Sequence, residues 1–206
     1  MSLIYEDPCS STFEGVSITP ETCDALYGKI VGFGIASKAT TAFTLTGDGD
    51  IKLKASWTAA KAASTNAAKV VVIGEVSNVE LTAGTPTKVD SGKANGIQRL
   101  SRLTPAAFKC KLDGKTEAYY KALNGYTDVS TNFSQSTKIG VFFLYETGYI
   151  QYYTGTKGIP VFNFFVTDPT QGEESLTREI MFDMPAKWSE NTTFVKATDF
   201  VPLDIF

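Results

Sequence analysis

The sequence predicts a mainly β protein, an antiparallel sandwich or barrel with one or two short packed helices and extended terminal arms. Three observations lead there. The 14 Phe and 9 Tyr, set among many Val, Ile and Thr, favour pleated, half-buried strands. Short apolar or alternating runs follow one another with turn signals between them. Strand segments outnumber helical ones by about ten to two and are joined by hairpins rather than crossover helices.

Residues 1–25 form an irregular N-terminal arm, with Pro8, Pro20 and scattered Ser and Thr in neither helical nor strand period. Residues 26–206 read as a single β-rich domain, with no composition break and no repeat of 20 to 50 residues. Its first strand is 29–36 (KIVGFGIA), apolar and punctuated by Gly, as expected where another backbone comes close. Residues 42–46 lead into the turn Gly47-Asp48-Gly49-Asp50 and the short strand Ile51-Lys52-Leu53. Residues 55–64 (ASWTAAKAAS) are Ala-rich and predict a helix.

Strands follow at 69–73 and 77–82, a turn at 83–86, and an extended loop over 88–97. The segments 98–103 and 106–112 alternate as half-buried strands do. A second helix begins at Thr116, whose hydroxyl suits an N-cap, with Glu117 at the positive end of the dipole. Ala118, Tyr119, Ala122 and Leu123 would form its apolar stripe, and Asn124-Gly125 its left-handed end. The strongest hairpin is 138–153, where 139–145 turns at Glu146-Thr147-Gly148 into 149–153. Strands at 160–167, 176–184 and 193–201 complete the chain.

The chemistry is read as much from what the sequence lacks. It contains no His, which removes Ser-His-Asp and Cys-His arrangements, imidazole-based zinc sites and the usual acid–base group near neutral pH. Cys9, Cys23 and Cys110 are widely spaced without a CxxC pair, so neither a disulfide framework nor a metal cluster is expected. Cys110, in an alternating strand, reads as a small core hydrophobe.

Gly32-Phe33-Gly34 lacks the third glycine of a dinucleotide loop. Asp48 and Asp50, or Glu173 and Glu174, could formally supply paired carboxylates, but both pairs sit in Gly-flanked turns where acids are solvated or cap the backbone. No catalytic, cofactor-binding or metal residue is assigned, and an enzyme is not expected. The net charge of −3 argues against gripping nucleic acid by its phosphates. No apolar stretch approaches a membrane span, and the opening residues lack the pattern of a secretory signal, so a role inside a cell or in a particle built there is expected. The tyrosines Tyr145, Tyr149, Tyr152 and Tyr153 could pack inward, cover an interface or stack on sugars.

The segment Phe108-Lys109-Cys110-Lys111-Leu112, followed by Asp113-Gly114-Lys115 and the helix after Thr116, is similar to the strand-then-helix element of tail-tube subunits of tailed bacteriophages. The stretch 84–95 resembles their inter-ring loop, and the ends 1–25 and 191–206 resemble arms that lock neighbours. The likeness extends to virion proteins of phages infecting Bacteroidetes, including tail and neck rings of crAss-like phages. The helix at 55–64 sits earlier than in a simple tube subunit.

The resemblance implies a structural protein of the virion, assembled in the host cytoplasm. Copies would close into six-membered rings, and the rings would stack with other virion tail proteins. DNA would pass through the lumen without specific binding, and neither cofactor nor membrane would be involved. Asp48, Asp50 and Glu80 are the acidic candidates for the lumen lining. The alternative is a carbohydrate- or receptor-binding β-module of a phage particle, or a neck or ring connector.

Overall fold

A computed structural model describes residues 28–37, 50–64, 68–90, 98–125, 139–153, 158–171 and 176–206. Antiparallel strands dominate, as expected. The chain runs β1 (Ile30–Ser37), α1 (Lys54–Ala62), β2 (Val70–Gly74), β3 (Ser77–Thr82), β4 (Pro86–Asp90), β5 (Gln98–Leu103), β6 (Ala106–Asp113) and α2 (Glu117–Asn124). It continues through β7 (Ile139–Tyr145), β8 (Tyr149–Tyr153), β9 (Ile159–Val166), β10 (Thr170–Gln171), β11 (Leu176–Met184) and β12 (Thr192–Lys196), and ends in a 3-10 turn, Pro202–Ile205.

Ten strands form one hydrogen-bonded ladder, folded on itself into two layers, with β4 and β5 a separate pair. The first layer is β2-β1-β7-β8-β12, and the second is β3-β6-β11-β9 with β10 against β11. β9 belongs to both. Ile159–Val161 pair with β7, whereas Phe162–Val166 pair with β11 across a register shift. At that corner Asn163 takes a left-handed φ of 55°, and its Nδ2 donates to Asp183 Oδ2 at 2.7 Å. A bulge with an Asn in αL is how a strand can turn from one sheet into the next. β2 and β3 are joined at the facing corner by Glu75, also left-handed at 58°. The ladder stays open there, which makes the fold sandwich-like rather than a closed barrel.

The core between the layers is aromatic. Phe33 of β1 meets Phe108 of β6 and Phe182 of β11 edge-on at 5.6 and 5.7 Å, and Phe108 stacks on Phe182 at 4.6 Å. Cys110 lies fully buried among them. Desolvation pushes its thiol up to about 12, so it packs as a hydrophobe, as expected.

A second core covers the outer face of the first layer. Phe142 and Leu144 of β7 point there, against Trp57 and Ala60 of α1 and Phe200 and Ile205 of the C-terminal segment. Trp57 is sealed in, its Nε1 donating to the Ile51 carbonyl at 2.8 Å. The paired glycines Gly32 and Gly74 leave a slot that the Phe206 ring occupies. α2 closes one end of the sandwich, burying Tyr120 and Leu123, with Tyr120 Oη donating to Leu112 O at 2.9 Å.

Several expectations change. Residues 88–90 and 98–103 are the two sides of a ribbon, not a loop followed by a lone strand. Ile51-Lys52-Leu53 is not a strand: Asp50–Lys52 is a 3-10 turn that lets Trp57 reach the Ile51 carbonyl. The last strand stops at Lys196, because the tail turns to cover α1.

Thr116 caps α2, accepting from Tyr119 N at 3.3 Å, as expected. The helix buries Tyr120 and Leu123 while Ala118 and Ala122 stay exposed, because its N-terminus is aimed at β11 by Arg178. Gly125 ends it in right-handed geometry, at φ −62°. The arm 1–25, the strand at 42–46, Asp48, Cys9, Cys23, Glu173 and Glu174 lie outside the described residues.

Candidate assembly surfaces

Three surfaces stand out, each following from local sequence. The first is the β4–β5 ribbon. β3 and β6 pair from Ser77–Lys111 to Thr82–Ala107, and the chain then runs on beyond the body as β4 and β5, which pair from Pro86–Leu103 to Asp90–Gln98. The neck between the two pairs is clamped. Thr104 N donates to Thr85 O at 2.9 Å, and Thr85 N donates to Thr104 Oγ1 at 2.8 Å. β4 and β5 pack chiefly on each other. Thr82, Thr85, Pro86, Lys88 and Arg102 are exposed. A two-stranded ribbon alone in water is marginal, so this clamp and a covering surface would both help to hold it.

The second surface is the outer face of the second layer, which alternates polar residues outward. Lys109 and Glu179 pair at 3.0 Å, and the carboxylate raises the Lys109 pKa. Glu80 and Lys111 join them around a shallow depression of about 370 Å³. The third is the rim of the end that α2 closes. Asp113 and Glu117 are exposed there, and Glu75 pairs with Lys115 at 2.7 Å, which lowers its pKa. Arg178 is buried behind them, over the Tyr120 ring at 4.6 Å and 2.9 Å from Glu117 Oε2.

The tyrosines are not a surface platform. Tyr145 is buried with its hydroxyl donating to Gln151 Oε1 at 2.7 Å, Gln151 in turn donates to Thr192, and Tyr152 lies in the outer core. Tyr149 and Tyr153 are half-buried. The acidic candidates for a lumen do not converge: Asp50 opens the turn before α1 on the first layer, whereas Glu80 lies on the second layer's outer face. Among the described residues no group of three or more His, Cys, Asp or Glu is placed to hold a metal ion, and no helix is long and apolar enough to cross a membrane.

No known family model matches the chain, and no curated protein matches it. Two solved structures are similar in outline. One is a chain of the sheath-tube complex of an extracellular contractile injection system, PVC, in its extended state, at 11% identity and a TM-score of 0.36, covering 82% of this chain and 91% of that one. The other is the tube-terminating cap of the anti-feeding prophage, at 12% identity and a TM-score of 0.38, covering 88% of this chain and 100% of that one. Scores this low leave the role of the chain to be argued from its own surfaces.

Proposed function

We propose that this chain is a structural, non-enzymatic subunit of a phage-type tail tube. In this reading copies close into rings of six, rings stack into a conduit with other tail proteins, and DNA passes through without specific contacts. The observation that carries the reading is the clamped β4–β5 ribbon. It extends a sheet of the body outward by about five residues a strand, roughly 17 Å. Such an element has little to do for a monomer, and it occupies the stretch that resembles an inter-ring loop. The edges of β2, β3 and β12 each pair on one side only among the described residues, which offers neighbours further strand positions. With the hairpin tyrosines half or fully buried, no observation favours a glycan-binding module.

Electron microscopy of the purified protein, with mass measurement in solution, tests the proposal. Rings or stacked tubes are expected. A monodisperse monomer at every concentration reached would overturn it. The companion variant replaces 86–103 by Asn-Gly. The Thr104 N to Thr85 O bond already has the geometry that closes a two-residue hairpin, so the body should fold. Stacking should be lost.

A further inference from the structure

Charge is divided along the molecule. The ribbon strands carry Lys88, Arg99 and Arg102 against Asp90, a net +2, so the rest of the chain carries −5 of the total −3. Strand register shows where the acidic side lies. β6 starts beside the ribbon, with Ala106 opposite Met184, and ends seven residues later with Asp113 opposite Thr177. That is roughly 25 Å away at the other end of the layer. Glu75 is tied to this end through Lys115, and Glu117 through Arg178. Asp168 follows Thr167, whose amide donates to Glu179 O, and precedes Thr170, which pairs with Thr177. Asp113, Asp168, Glu75 and Glu117 are all exposed.

Resting on the assembly reading above, we infer that the ribbon of one copy docks on the acidic end of a second copy, at Asp113 and Asp168. The contact joins different patches, the ribbon next to one end of the second layer and the acids at its other end. It is therefore heterologous, and it can repeat along an axis without a two-fold partner. Lys115 and Arg178 already neutralise Glu75 and Glu117, which among the described residues leaves Asp113 and Asp168 to meet the ribbon's cations. Among the described residues Asp113 accepts a single long bond, 3.4 Å from Ser77, so its carboxylate is available at little cost to the fold. Exposed complementary charges set orientation and encounter rate, and they are screened by salt.

The experiment uses the full chain and follows multimer formation by light scattering and microscopy, with circular dichroism confirming that each variant folds. Lys88→Glu with Arg102→Glu should raise the concentration for half-assembly by about tenfold or more. Asp113→Lys with Asp168→Lys should do the same. All four changes in one chain should restore assembly, since the charges are then exchanged. Raising salt from about 0.1 M to about 1 M, which shortens the screening length from about 10 Å to about 3 Å, should weaken wild-type assembly. If the wild type assembles and the ribbon reversal leaves the threshold unchanged, this inference fails while the assembly reading stands. Failure of the fourfold variant to recover would likewise overturn it. So would a ribbon whose reversal abolishes retention of a DNA duplex and leaves assembly intact. A wild type that never multimerises removes both.

Discussion

The two layers of the sandwich are built to different rules. β7, in the first layer, is apolar at every position after its glycine, and it is buried on both faces, by the inter-layer core and by α1 with the C-terminal segment. β6, in the second layer, alternates strictly: Phe108, Cys110 and Leu112 point inward, while Ala107 and Asp113 are exposed and Lys109 and Lys111 half-exposed. A continuous apolar run requires cover on both sides, whereas an alternating one can face water. The first layer is therefore the anchor of the fold. The second is free to present charge and to run on into the ribbon. Stability is thereby concentrated in the first layer, and the proposed association falls to the second layer and its ribbon.

The largest effect on stability is expected where the first layer is sealed. Trp57→Ala should cost about 3–5 kcal/mol in urea unfolding, because the indole fills the space between α1 and Phe142. Met181→Ala, half-exposed on the second layer's outer face, should cost under about 1 kcal/mol. Equal costs would mean that the two layers do not differ in how their outer faces are packed.

Gly74→Ala comes next, at about 1–3 kcal/mol, since the new methyl would overlap the Phe206 ring. Adding Phe206→Ala to it should cost less than the two single changes together, by about 0.5 kcal/mol or more. Simple additivity would mean that the slot is not shared. Excising the ribbon should change stability little and assembly completely, which is the sharpest form of the contrast.

The smallest effect lies at the acidic end. Lys115 holds the Glu75 carboxyl below its ordinary value of 4.5. The tie is therefore fully present above that value and is lost as pH falls through the lowered one. Glu75→Gln should slightly lower stability at neutral pH and leave it unchanged in acid below the lowered value, which flattens the acid limb of the pH–stability curve. A loss that persists undiminished at acid pH, where the carboxyl is protonated, would contradict the assignment.

Most of the strands were legible because the pleat writes a period of two, or a solid apolar run, into residues such as 106–112 and 139–145. The Thr116 cap was legible because its chemistry is local. The ribbon was half legible. The turn at 83–86 and the strand at 98–103 were visible, but β4 (PTKVD) has too few apolar residues to announce a strand, and its partner supplies the reason it is one. The stripe of α2 was misassigned because an eight-residue helix carries two turns of pattern, and packing on β9 and β11 chooses the face. The tyrosines were ambiguous for the same reason, since only a neighbour such as Gln151 shows that a hydroxyl is satisfied indoors.

By itself, then, the sequence determined the β class, the hairpins, the capped second helix and the absence of histidine chemistry, because these depend on residue type and near spacing. The tertiary structure alone decided that β9 bends between two layers, that a Phe206 ring fills a slot between paired glycines and that the β4–β5 ribbon and Asp113 lie at opposite ends of the second layer. Each of those joins residues far apart in the chain, and pairing across such distances is set by the packing of the whole core rather than by any local pattern.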